Sequence, residues 1–166
     1  SKRGREIILP MLQGVREAKI DFSSYERAYD EIVDSQLNAS QVEAVVQAYG
    51  TDLFHLIQGP PGTGKTLTLA YLAKLLADDG RRVFVTGLTH RSINNALNKI
   101  ATLDELLPVC KIGHRRQAED LIVENYGVFM GSPFGDLADG YIVGATPFAL
   151  QTQRLSNVEF DVVLFD

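Results

Sequence analysis

Residues 59–66 read Gly-Pro-Pro-Gly-Thr-Gly-Lys-Thr. The pattern Gly-x-x-x-x-Gly-Lys-Thr is that of a phosphate-binding loop, and it is met here without a mismatch. Gly59, Pro60, Pro61, Gly62, Thr63 and Gly64 would form the loop, with glycines letting backbone N–H groups turn inward on phosphate oxygens. Lys65 would reach the β- and γ-phosphates, and the Thr66 hydroxyl would ligate Mg²⁺. A helix starting at the same point aims its positive dipole end at those phosphates. The bound species implied is a nucleoside triphosphate with its magnesium ion. A Gly-Pro surface turn is the competing reading.

A second candidate lies at Val162-Val163-Leu164-Phe165-Asp166. Four apolar residues ending in an acid suit a buried parallel strand whose carboxyl end faces the ligand crevice. There Asp166 would hold Mg²⁺, directly or through water, against the β- and γ-phosphates. Lys65, Thr66 and Asp166 are thus the candidate catalytic residues, and Thr66 and Asp166 the candidate metal ligands. The long interval between Lys65 and Asp166 leaves room for two further strand–helix units and an excursion.

The surrounding elements must place these groups. Leu53–Ile57 is a short apolar run, expected to be the strand entering the loop. Thr66–Ala77 has helical periodicity, with Leu69, Leu72, Ala73 and Leu76 on one face and Gly80 at its end. Arg82–Thr86 reads as the next strand, Ser92–Ile100 as a helix and Tyr141–Ala145 as a strand. A short helix is expected around Phe148–Leu155, then a strand over Phe160–Phe165. Upstream, residues 1–36 read as a helical extension. Ser40-Gln41-Val42-Glu43 has the spacing of a capping box, opening a helix that Gly50 closes. Strands alternating with helices predict a parallel α/β sheet. Residues 113–140 break the rhythm with a predicted helix at Gln117–Tyr126 and a Gly-, Pro- and Asp-rich stretch, read as an excursion from the sheet.

With 166 residues and 45% hydrophobic content, the chain suits one domain with a real core. Its one cysteine, Cys110, excludes an internal disulfide and points to a reducing, intracellular compartment, cytoplasm or nucleus. No apolar run approaches a membrane span, and Ile7–Leu12 is too short for a signal core. A first residue of Ser rather than Met is read as an excised or processed start. The net charge of −5 excludes a broad basic surface, so any nucleic-acid contact must come from a local strip.

Taken together the motifs resemble those of superfamily 1 helicases, in the up-frameshift-like branch that includes the Dna2-type enzymes. Leu37-Asn38-Ala39-Ser40-Gln41 looks like that family's glutamine motif, and Gly59–Thr66 its motif I. Val83–Asn98 looks like motif Ia, Ile142-Val143-Gly144-Ala145-Thr146 like motif Ic, and Phe160–Asp166 like motif II. The resemblance covers roughly residues 37–166. Leu88, His90 and Pro147 depart from the wording of many relatives. The resemblance implies a RecA-like P-loop NTPase, with a parallel sheet flanked by helices and incomplete at its C-terminus. Residues 37–166 would be the first motor domain, cut at motif II, binding ATP and Mg²⁺. The partners implied are single-stranded DNA or RNA and a second RecA-like domain, with 5′-to-3′ movement along the strand. The strand following motif II would lie between Leu53–Ile57 and Phe160–Phe165. The isolated fragment would then show little ATPase activity.

The same resemblance assigns Gln41 to the adenine edge, which a carboxamide can meet with one donor and one acceptor. It assigns Thr89 and Thr146 to nucleic-acid phosphates or sugars; for each, a helix cap is the alternative. His90 would stack on a base or sugar, or cap a helix. Arg91 would be a solvated or phosphate-facing charge. Asn94 and Asn95 would be solvated or lie beside a strand, and His55 a core or edge residue. His114-Arg115-Arg116 is a basic cluster, either a solvated helix start or a contact to a nucleic-acid backbone. Two other functions fit the loop alone: a P-loop ATPase that remodels proteins, and a nucleotide-binding module without motor activity.

Overall fold

A computed structural model describes residues 9–166 of the chain. It forms two compact units, one running to Gln58 and the other from Gly59 to Asp166. Residues 1–8 of the expected helical extension lie outside the described residues.

Among the described residues the first unit holds three helices: α1 (Leu9–Leu12), α2 (Phe22–Ile32) and α3 (Ala39–Gly50). Asp21 caps α2 by accepting the N–H groups of Ser23 and Ser24. Helices α2 and α3 pack together, and a hydrogen bond from the Tyr25 hydroxyl to Glu43 (2.7 Å) ties them at the surface. The cap of α3 is Asn38, not Ser40. Its side chain accepts the Gln41 N–H (3.0 Å), and the Gln41 side chain accepts the Asn38 N–H (2.9 Å). Two cap frames overlap in this stretch, and the earlier one, with an Asn as good a cap as Ser, starts the helix sooner. Residues 53–57, expected to be the strand entering the loop, form no strand. Leu56 is 81% exposed, and without a ladder a strand's backbone groups have no partners.

The second unit is a five-stranded parallel sheet with helices packed on it. Its strands are β1 (Arg82–Thr86), β2 (Val109–Ile112), β3 (Asn125–Tyr126), β4 (Tyr141–Gly144) and β5 (Val162–Phe165), in the order β3-β2-β4-β1-β5. All four pairings are parallel, so every strand delivers its following loop to one edge of the sheet. Helix α4 (Lys65–Asp78) buries Leu69, Leu72, Ala73, Leu76 and four neighbours, and it ends at Gly80 with a φ of 78°. Helix α5 (His90–Leu103) buries Ile93, Ala96, Leu97 and Ile100 at helical spacing. It lies so close to β4 that a Cβ on Gly144 would sit 2.4 Å from the Leu97 side chain. Among the described residues no helix is long and apolar enough to cross a membrane.

Residues 113–140 are not wholly outside the sheet, because β3 adds to its edge beside β2. The helix expected over Gln117–Tyr126 does not form; only Arg115–Gln117 makes a single 3₁₀ turn. Asn94 Nδ2 donates to the carbonyls of Gln117 and Glu119 (3.1 Å each), and Asn98 Nδ2 to that of Asp120 (2.6 Å). Asn98 Oδ1 accepts the Ile122 N–H (2.9 Å). These tertiary bonds take the backbone groups a helix would have used.

Candidate functional site

The loop of residues 59–64 has the backbone freedom its sequence requires. Gly62 and Gly64 have φ values of 81° and 82°, in the left-handed region that glycine occupies without strain. A Cβ on Gly59 would meet Thr63 Oγ1 at 2.7 Å, so the loop closes tightly on itself. Thr63 Oγ1 donates to the Pro60 carbonyl (2.8 Å), fixing that curl. Lys65 Nζ is held across the loop by the carbonyls of Gly59 (2.7 Å) and Pro60 (2.9 Å). Gly64, the N-cap of α4, has no side chain to satisfy the first-turn N–H groups. A phosphate can take that place, favoured by the helix dipole.

Asp166 follows β5 directly, and its N–H donates to the Thr86 carbonyl at the end of β1 (2.9 Å). Burial pushes the Asp166 carboxyl above the usual carboxylate range, while the Lys65 ammonium acts on it in the opposite sense. Thr66 hydroxyl and Asp166 carboxylate are hard oxygen ligands of the kind Mg²⁺ takes alongside phosphate oxygens, so the residues fit that ion.

Three residues that fix this arrangement were not singled out by the sequence. Gly87 lies between β1 and α5, where a Cβ would come within 2.5 Å of Ser92 Oγ and 2.7 Å of the Asp166 carbonyl. Only a residue without a side chain lets the loop after β1 approach Asp166 this closely. At the other end of the sheet Arg82 and Asp161 form a bidentate pair that sets the register of β5 on β1.

Thr89 and Thr146 follow β1 and β4, which are neighbours in the sheet, so both stand at its carboxyl edge. Thr89 is the N-cap of α5, its Oγ1 accepting the Ser92 N–H at 3.1 Å. Thr146 precedes a 3₁₀ turn (Pro147–Gln151) without a side-chain capping bond. His90 opens α5, and its Nδ1 is buried without a hydrogen-bond partner. Burial, then the charges of Lys111 and His114, hold its imidazole below the usual range. Arg91 is exposed. Asn94 is buried and bonded, not solvated, whereas Asn95 is exposed. Gln41 belongs to the first unit, where its side-chain oxygen serves the α3 cap.

A parallel sheet with a Gly-rich loop running into a helix, and an acid at the carboxyl end of β5, defines a RecA-like P-loop fold; β5 is an edge strand with Val163 and Phe165 exposed, not the buried strand its apolar run predicted. The AAA domain family profile matches residues 36–126, more than half of the chain, and the chain belongs to that family. Within it the chain falls in the superfamily 1 helicases, in the Dna2-type region. It is 34% identical over 102 residues to the DNA replication ATP-dependent helicase/nuclease DNA2 of Saccharomyces cerevisiae, covering 60% of this chain and 7% of that protein. The corresponding protein of Schizosaccharomyces pombe is 27% identical over 137 residues, covering 78% of this chain and 10% of the relative. The DNA polymerase alpha-associated DNA helicase A of Schizosaccharomyces pombe is 33% identical over 81 residues, with coverage of 49% and 12%. The chain thus spans a small fraction of the length of the relatives it matches.

Proposed function

We propose that this chain binds ATP and Mg²⁺ as the first motor domain, residues 37–166, of an ATP-dependent helicase or translocase that moves 5′ to 3′ on a single strand. The observation that carries the reading is the glycine-curled loop of residues 59–64 running into α4, beside a parallel sheet whose strand β5 delivers Asp166 to the edge that also bears Thr89. In this reading the loop N–H groups and the start of α4 bind the phosphates. Lys65 exchanges its two carbonyl partners for β- and γ-phosphate oxygens. Thr66 and Asp166 hold Mg²⁺, which when bound neutralises charge on the transferring phosphoryl group. Gln41 offers its carboxamide to the adenine edge. Thr89, His90, Arg91 and Thr146 meet the strand.

Because Asp166 and the strand-contacting loops stand at the same sheet edge, a change at one would reach the other through β1 and β4. A second RecA-like domain is the proposed partner across the nucleotide, and alternate closing and opening of that cleft would advance the strand. The relatives carry DNA replication or DNA helicase in their names, which favours DNA over RNA. An intracellular location goes with that role.

ATP hydrolysis measured with and without homopolymeric single-stranded DNA tests the proposal. A severalfold stimulation by the single strand is expected. Hydrolysis stimulated by an unfolded protein and not by nucleic acid would instead support a protein-remodelling ATPase.

A further inference from the structure

We infer that a single strand continues past Thr146 into a second, arginine-lined site, with Phe148 stacking on a base and Arg115, Arg116 and Arg154 taking phosphates. This rests on the proposed single-strand binding and extends it to residues outside the motifs.

The site is a cavity of about 910 Å³, walled by residues 113–127 and by Arg154. Strand β2 lies beside β4 in the parallel sheet, so the loop after β2, which carries His114, Arg115 and Arg116, leaves the same edge as Thr146. Adjacent strands are about 4.8 Å apart, so the cavity directly continues the rim that Thr89 and Thr146 define.

Its charge is not cancelled. Arg115 and Arg116 are exposed, and among the described residues neither joins an ion pair. Arg154 donates to His114 Nε2 (2.8 Å) and also joins no ion pair. Glu119 and Glu124 line the cavity too, leaving an excess of positive groups in a chain whose net charge is −5. Such a local strip is what an acidic protein needs to hold a polyanion.

The walls are built, not loose. Asn94, Asn98 and buried Lys111 bond the backbone over residues 117–122, and Asn125 Nδ2 donates to the Gly113 carbonyl (3.2 Å). Phe148 is 77% exposed two residues beyond Thr146, on the segment that leads to Arg154. An exposed ring on the segment between Thr146 and Arg154 suits a strand with bases as well as phosphates, because every base has a face to stack.

Binding of a fluorescent oligothymidylate, followed over a range of salt, tests the inference. Arg115→Gln/Arg116→Gln should flatten the log–log salt slope by about 1.4, since each single-strand phosphate contact contributes about 0.7. Arg115→Lys/Arg116→Lys should restore the slope. Phe148→Ala should weaken binding about tenfold with the slope unchanged, because stacking releases no counterions. Melting temperatures of these exposed-site variants should match that of the unaltered protein.

If the unaltered protein binds the oligonucleotide while the glutamine variant keeps its slope and affinity, this inference falls and the proposed function stands. If the unaltered protein binds no single strand, both fall. Displacement of the oligonucleotide by inorganic phosphate at equal phosphate concentration would mark a small-anion pocket and overturn the strand path.

Discussion

Arg82 clasps Asp161 with two side-chain hydrogen bonds, Nε to Oδ2 at 3.0 Å and Nη2 to Oδ1 at 2.9 Å, while its backbone N–H donates to Oδ2 at 2.9 Å. The pair sits where β1 and β5 enter the sheet, and Asp166 lies at the opposite end of β5. Holding the entrance therefore sets the register that brings Asp166 onto Thr86.

The guanidinium draws the Asp161 carboxyl down to about 2, from 3.8 in the unperturbed group. A depressed folded value means that the contribution is full above about pH 4 and is lost as pH falls through about 2. Asp161→Asn should remove that part of the acid profile. Urea midpoints of the two proteins should differ at pH 6 and converge near pH 2. Parallel curves over this range would show that the pair does not anchor β5.

Lys111 is wholly buried in β2, with Nζ donating to Asn94 Oδ1 (2.5 Å) and to the Gln117 carbonyl. Burial lowers its ammonium to about 8 from 10.5. Between those values the unfolded chain holds more protons, so stability rises with pH through this window. Relative to Lys111→Met, the unaltered protein should gain stability between pH 8 and pH 10. Equal slopes for the two proteins would contradict the burial argument.

Gly87→Ala would force a Cβ against the Asp166 carbonyl and Ser92 Oγ. Overpacking of this kind costs about 1–3 kcal/mol, and here the moving part carries the candidate metal ligand. The variant should lose stability in a denaturant titration and bind Mg²⁺-ATP more weakly. A variant as stable as the parent would show that the close approach is unimportant.

Thr89 and Thr146 can be separated because only Thr89 caps a helix. Thr89→Val should cost about 1 kcal/mol through the lost α5 cap, whereas Thr146→Val should leave stability unchanged. If both touch the strand, both substitutions should reduce single-strand stimulation of ATPase, and Thr89→Ser should restore it. Full stimulation in Thr146→Val would remove that residue from the nucleic-acid contact.

Gln41 also has two roles to divide. Its oxygen accepts the Asn38 N–H, so Gln41→Ala should loosen α3 and weaken ATP together. Glutamate can still accept that bond but offers no N–H to adenine N7. Gln41→Glu should therefore keep the melting temperature while weakening ATP more than a pyrimidine triphosphate. Equal losses for both nucleotides would show that Gln41 does not read the base.

What the sequence revealed follows from where the constraints act. Lys65–Asp78 and Arg82–Thr86 carry their own periodicity, and the phosphate loop is defined by glycines whose backbone angles only glycine adopts freely. Asp166 was legible as an acid ending an apolar strand. Strand β2 was missed because Lys111 stands inside it, held by Asn94 and a carbonyl rather than by water. The helix expected over residues 117–126 was lost to Asn94 and Asn98, which lie a helix away in sequence. Gly87 and the Arg82–Asp161 pair left no local signal, since their contacts join residues far apart in the chain.

Duplex unwinding tests the central claim most directly, using partial duplexes with a 5′ or a 3′ single-stranded tail and the complete protein that carries this chain. The 5′-tailed duplex should be unwound in the presence of Mg²⁺-ATP, and Lys65→Ala should abolish both unwinding and hydrolysis with the melting temperature nearly unchanged. Robust ATP turnover with neither duplex opened, or wild-type hydrolysis by Lys65→Ala, would contradict it.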